Sequence, residues 1–298
     1  MAPLLASIKR AFSFGTGPWD PTSRFQTSWL VGPWVLFAFR ALFSLYAFVT
    51  IFFTIGWACT HESAGGCTDA RQSFSYFTVL TYWGLAFYML VAAVHTLSYA
   101  LTRGSSRPSL LARLPRPLQA LQSLFYSTVV VLPIIVTIVY WGVLYRAPWF
   151  PVTYDAWRNL SEHAFNTVFA LFEIVVPRTD PLPWVHLFWL ILILLGYLAV
   201  AYITLADQGF YTYGFLDHDE VGGRGLVAAY ILGIAVGLVV VFSIVRGLIW
   251  LRRWLTESKL GMHGKFASPP TSAGDIDGSM TELGVPRSKE AGVSTSLA

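Results

Sequence analysis

Leu160-Ser161-Glu162-His163-Ala164-Phe165-Asn166-Thr167-Val168-Phe169-Ala170-Leu171-Phe172-Glu173-Ile174-Val175-Val176-Pro177 is the segment on which the number of membrane crossings in this chain depends. It is apolar enough to be a membrane helix, yet it carries Glu162, His163, Asn166 and Glu173. On a wheel turning about 100° per residue these four fall at roughly 0, 100, 40 and 20°, on one face. A central charge costs about 2.5–3.5 kcal/mol on insertion scales, so that face should look into the protein, where it lines a cavity or pairs internally. The plainer alternative leaves Glu162 and His163 wetted near the helix start and pairs Glu173 with an arginine.

On either side of it, five cleaner apolar runs occupy residues 30–59, 74–100, 121–146, 183–206 and 225–250, with 160–177 as the shortest, fourth in order. Crossing a hydrocarbon layer about 30 Å thick takes around 20 residues. The chain has 298 residues, 55% hydrophobic, 16% aromatic and only 12% charged, whereas soluble domains carry about 25% charge. The expected fold is therefore all-α: a polytopic integral membrane protein with six transmembrane helices over residues 30–256. Residues 1–29 are expected to be a cytoplasmic N-terminal segment. They hold no sustained apolar core before Trp29, so the first span should act as the insertion signal. From 257 to 298 the composition turns to Gly, Ser, Pro, Asp and Lys, which predicts a disordered cytoplasmic tail.

Cytoplasmic loops retain Lys and Arg. With both termini in the cytoplasm, fourteen basic residues fall inside and only Arg71, Arg146, Arg158 and Arg224 outside, while Arg40 and Arg246 lie within spans. Arg40 is deep and is the natural partner for Glu173. The net charge of +4 is explained by this topology and calls for no nucleic-acid partner. Cys59 and Cys67 flank the first outer loop, where an oxidising compartment permits a disulfide. Asn159-Leu160-Ser161 is an outer acceptor pattern for N-glycosylation, set close to the membrane. The proline-broken basic loop from Arg103 to Pro117 suits anionic headgroups. An endomembrane or plasma-membrane location fits these features.

On the second span Thr81, Tyr88 and His95 recur every seven residues and form a polar stripe. His95 lies about 21 Å along the axis from Thr81, too far to serve as its base. Thr81 sits about 10 Å below the outer surface, Asn166 about 9 Å, and His163 one turn shallower. These residues could share a pocket near the outer leaflet, with Thr81 as nucleophile and His163 as base, since a neutral imidazole activates a hydroxyl within about 2.6–3.2 Å. The plainer reading has Thr81 bonding back to a carbonyl of its own helix. Asn166, Glu162, Tyr88 and Tyr213 are the candidate substrate-binding residues, Tyr213 from an aromatic loop, Gly209 to Asp217, that could floor a pocket for an amphipathic ligand. The chain has no Gly-x-Ser-x-Gly elbow, His-Glu-x-x-His pair or Gly-x-x-x-x-Gly-Lys loop. Two cysteines and six scattered histidines do not compose a metal site, and no cofactor is expected.

Three segments resemble the androgen-induced gene one family of multi-pass threonine hydrolases, which includes the androgen-dependent TFPI-regulating protein. Val79-Leu80-Thr81-Tyr82-Trp83-Gly84-Leu85 is similar to the family's Leu-Thr-Phe segment with its nucleophilic threonine. Glu162-His163-Ala164-Phe165-Asn166-Thr167 resembles its Asn-His-x-x-His-Thr segment, and Gly209-Phe210-Tyr211-Thr212-Tyr213-Gly214-Phe215-Leu216-Asp217 its Gly-x-Trp-x-Tyr-Pro-Phe-Leu-Asp/Glu segment. The resemblance implies six spans and a Thr and His pair that hydrolyses fatty acid esters of hydroxy fatty acids. Asn166 stands where the family has its catalytic histidine, and His163 matches the other histidine. Asn cannot accept a proton as a base. The chain is therefore expected to be one of two things. It is a Thr81-dependent ester hydrolase with His163 as replacement base and a lipid-sized pocket, or a non-catalytic lipid-binding or interaction protein in which Glu162, His163, Asn166 and Glu173 form a structural polar network.

Overall fold

The computed structural model describes residues 19–103 and 107–262. Among them the chain is helical, with one isolated bridge between Ser28 and Pro177. Helix α1 runs Pro33–Thr60. A short α2, Gly66–Gln72, comes next and carries the second cysteine of the disulfide. Helix α3 is Phe77–Thr102, and α4 is Arg116–Val139, prolonged by a π turn Tyr140–Leu144. Next come α5, Thr153–Leu160, a π turn Ser161–Phe165, and α6, Asn166–Val175, as one continuous helical rod. Helix α7 is Trp184–Gln208, and α8 is Arg224–Arg253, prolonged by a π turn Trp254–Lys259.

Five of these helices are long and apolar enough to cross a membrane: Pro33–Thr60, Phe77–Thr102, Arg116–Leu144, Trp184–Gln208 and Arg224–Lys259. The rod made of α5, its π turn and α6 is not among them. It nevertheless runs between the two ends of the bundle. Near its start the Tyr154 hydroxyl donates to the Thr54 carbonyl at 3.4 Å, late in α1. At its finish Trp29 Nε1 donates to the Val175 carbonyl at 2.7 Å, just before α1 begins.

The local reasons for these elements are ordinary. Pro33 opens α1 with its φ already fixed and no N–H to satisfy. Ser28 Oγ accepts from the N–H groups of Leu30 and Val31 and donates to the Val176 carbonyl at 2.7 Å, tying the approach to α1 onto the end of α6. Pro133 lies inside α4, where it removes a backbone donor. Its own carbonyl receives Asn166 Nδ2 and Thr167 Oγ1, so α6 docks where α4 is weakest. The most extensive pairing is α1 with α3: Ala47, Leu85, Ala86 and Met89 have no exposed surface there, and Ser44 Oγ donates to the Ala86 carbonyl at 3.0 Å. Helix α7 is the contrast, since only His186, Leu190, Ala201 and Thr204 of its residues are buried.

One expected boundary is corrected. The last helix does not stop at 256 but continues through Lys259, because Thr256 is buried and Glu257 pairs with arginines. The N-terminal segment is folded from residue 19, with Arg24, Gln26, Thr27 and Ser28 all buried. Residues 263–298, most of the tail expected over 257–298, and residues 1–18 lie outside the described residues.

Candidate functional site

The deepest charges form a closed network. Arg40 Nε and Nη2 donate to the two carboxylate oxygens of Glu173 at 2.8 and 2.7 Å. Both side chains are within 1% of full burial. Arg40 Nη1 also donates to Thr96 Oγ1 at 2.6 Å and to the Phe25 carbonyl at 2.8 Å, and the Tyr88 hydroxyl donates to Glu173 Oε2 at 3.1 Å. A bidentate pair with further donors matched, here both N–H groups of Nη1, is the arrangement in which a buried ion pair offsets its desolvation. The expected partnership of Arg40 with Glu173 is thus present. Tyr88, read from sequence as substrate-binding, belongs to this network instead.

Glu162, His163, Asn166 and Glu173 are all buried, as expected of a face turned into the protein. The first three nevertheless make no hydrogen bond to Arg40 or Glu173 and meet other partners around the π turn Ser161–Phe165. Glu162 lies 3.7 Å from Arg158, one turn earlier, and Arg158 lies equally far from Asp69 of α2. The His163 ring stacks on Tyr140 at 3.6 Å between centroids, and its Nδ1 is 3.1 Å from the Asn159 carbonyl. The His163 carbonyl takes two donors from the α4 rod, Thr137 Oγ1 at 2.8 Å and Trp141 Nε1 at 2.9 Å. Asn166 Oδ1 accepts from Thr137 Oγ1 at 3.1 Å and from the Thr167 N–H at 2.6 Å. Asn166 therefore seats α6 on α4.

Thr81 is elsewhere. Its hydroxyl donates to the carbonyls of Phe77 and Thr78 in its own helix, at 2.9 and 3.0 Å, and makes no hydrogen bond to His163 or Asn166. It lines an apolar groove of about 300 Å³ with Leu80, Gly84, Leu132, Ile193 and Tyr197, between α3, α4 and α7. A more enclosed cavity of about 120 Å³ lies beside it, walled by Phe77, Val136, Leu194, Leu198, Phe215 and Ile234 among others. Tyr213 lines this cavity, so of the candidate substrate-binding residues it is the one that lines an apolar space. Tyr140 lines the cavity too and separates it from His163. The hydroxyls at the margin are held outward: Tyr140 donates to Asn159 Oδ1 at 2.6 Å, and Tyr197 to the Ser75 carbonyl at 3.1 Å.

Other features were not read from the sequence. Ser127 Oγ and His186 Nδ1 are 2.7 Å apart between α4 and α7; Ser127 has no exposed surface, and the two residues lie too far apart in sequence for spacing to reveal the pair. Asp217, His218 and Asp219 bring three possible metal-ligating atoms within 4.8 Å at the surface; Asp217 is already the N-cap of its short helix, accepting from the Asp219 N–H. At the opposite end of the bundle Arg24 pairs with Asp180 and Glu257. Arg252 donates to the carbonyls of Ile174, Pro177 and Thr179, matching acceptors that the end of α6 leaves open. Burial pushes the Arg178 guanidinium below its ordinary range, and neighbouring Arg24 adds to the effect. Burial likewise raises the Asp20 carboxyl, although the N–H groups of Arg24 and Phe25 oppose it.

The expected Cys59–Cys67 disulfide is formed. The glycosylation acceptor is occupied otherwise, because Asn159 Nδ2 donates to the Asp155 carbonyl, its Oδ1 accepts from Tyr140, and Ser161 is fully buried. No family model, curated protein or solved structure matches this chain.

Proposed function

We propose that this chain is a six-span integral membrane protein that holds a lipid acyl chain in the cavity beneath α7, without the threonine hydrolase reaction. The carrying observation is the separation of the two reactive groups: Thr81 is bonded into its own helix, and His163 is packed on Tyr140 across the α4 rod. A base that does not reach the hydroxyl cannot activate it. What supports ligand binding instead is a concave, almost wholly apolar space, the usual character of a site for an apolar chain. In this reading the rod containing α6 is the sixth crossing, its charges sheltered by Arg40 and Arg158, and both termini face the cytoplasm. The resemblance to the androgen-induced gene one family is kept for the fold and given up for the reaction.

The test uses the full chain reconstituted in phosphatidylcholine vesicles. A diazirine-bearing fatty acid should crosslink to Leu194, Leu198 or Ile234. A fluorophosphonate probe should leave Thr81 unlabelled. Labelling that disappears in Thr81→Ala, with turnover of long-chain esters, would overturn the proposal in favour of a hydrolase. Protease added to sealed vesicles of known orientation should remove a C-terminal tag only from the cytoplasmic face.

A further inference from the structure

The enclosed cavity and the groove beside it share two wall residues, Phe77 and Tyr197. Their rings lie 4.8 Å apart, tilted by 50°. On one side of this pair stand Leu194, Leu198 and Ile234. On the other stand Leu80, Thr81, Leu132 and Ile193. The two spaces lie side by side under the same helix, α7, which buries few of its own residues.

Tyr197 is held by its tip as well as by ring contacts with Phe77 and Tyr213. Its hydroxyl donates to the Ser75 carbonyl at 3.1 Å and reaches Thr212 Oγ1 at 3.4 Å, while the residue is only half-buried. The ring therefore stands across the space as a partition pinned at one end. Alone, the enclosed cavity is about 120 Å³, comparable to the ~150 Å³ void that takes a benzene. The groove, at about 300 Å³, stands by itself at the lower edge of the ~300–1,000 Å³ range of ligand pockets, and joining the two spaces extends it.

We propose that Phe77 and Tyr197 form a partition that sets the length of acyl chain this protein holds, with Tyr197 as the specificity-determining residue. The occupant is a lipid acyl chain because the walls on both sides are aliphatic and aromatic and come from helices that would lie among lipid tails. The proposal rests on the acyl-chain reading above and assigns its cut-off.

The experiment measures chain-length preference in the reconstituted full chain. A short diazirine fatty acid that crosslinks to Leu194, Leu198 or Ile234 reports occupancy of the enclosed cavity, and unlabelled saturated fatty acids of increasing length compete with it. In the wild type, competition should strengthen with length and then flatten once the enclosed cavity is full. In Tyr197→Ala the rise should continue to longer chains, giving a several-fold gain for those beyond the wild-type cut-off. Phe77→Leu, which trims the other half of the partition, should move the cut-off in the same direction and serves if Tyr197→Ala does not fold. Identical length profiles in the wild type and a variant with an unchanged unfolding temperature would overturn the partition. Failure of the probe to mark the cavity in the wild type would overturn the acyl-chain reading itself.

Discussion

The space around Glu173 and the space beneath α7 are both interior, yet they are built in opposite ways. Around Glu173 the two charges are partnered: Arg40 makes four hydrogen bonds, and Tyr88 adds one to the carboxylate. Beneath α7 the walls are apolar, the polar tips are turned away, and volume is left unfilled. Close packing and satisfied charge hold the first region in one arrangement. The second has few contacts to lose when a side chain moves. The contrast separates a structural centre from a place where a ligand can be accommodated, and residues read from the sequence as one site fall on both sides of it. Tyr88 and Glu173 belong to the first and Tyr213 to the second, while Glu162, His163 and Asn166 belong to the seam around the π turn.

The hardest test of the comparison strikes the closed centre. Arg40→Leu leaves the Glu173 carboxylate without its charge partner and should destabilise the protein by about 3–5 kcal/mol, while Arg40→Leu with Glu173→Leu should recover most of that loss. Thermal unfolding in detergent would show it, and losses that simply add would mean the pair is not coupled. Opening the disulfide should come next. Closing so short a loop gives about 2–3 kcal/mol in the chain-entropy picture, so Cys59→Ser with Cys67→Ser should lower the unfolding temperature without changing fatty acid crosslinking beneath α7. A change in crosslinking would tie the disulfide loop to the cavity.

Arg252→Leu should cost about 1–3 kcal/mol by leaving carbonyls at the end of α6 without donors. Hydrogen exchange should then accelerate around Ile174 to Thr179 and not around Leu198. The smallest effect belongs to Thr81→Val. Since the hydroxyl serves only its own helix, the change should stay within about 0.5 kcal/mol, as substitutions away from packed or networked features usually do. A large loss, or loss of any ester turnover, would place Thr81 in a site that this geometry does not reveal.

Much of the fold is legible in the order of residues. Each of the five long apolar helices matches an apolar run, because a run of that length has few other ways to satisfy its backbone in lipid. The pairing of Arg40 with Glu173 is legible as well, since two opposite charges that deep have few alternatives. The cysteines are readable from their nearness in sequence. The π turn is not. Nothing in Ser161-Glu162-His163-Ala164-Phe165 distinguishes it from a regular turn, yet Glu162 and His163 there meet Arg158 and Tyr140 and not the Arg40–Glu173 pair.

The order of residues thus settles the inventory of long helices and the deepest charge pair, since both reflect the cost of exposing polar groups to hydrocarbon and need no knowledge of neighbours. Which hydroxyl meets which imidazole is decided only when the helices pack. Thr81 was expected near His163 because both lie at similar depth, but depth sets position along a helix and leaves its rotation open. Packing sets the rotation: Pro133 and Thr137 draw Asn166 and the π turn onto α4, and Thr81 lines a groove with α4 and α7. Those contacts join residues far apart in the chain, and no spacing within it records them.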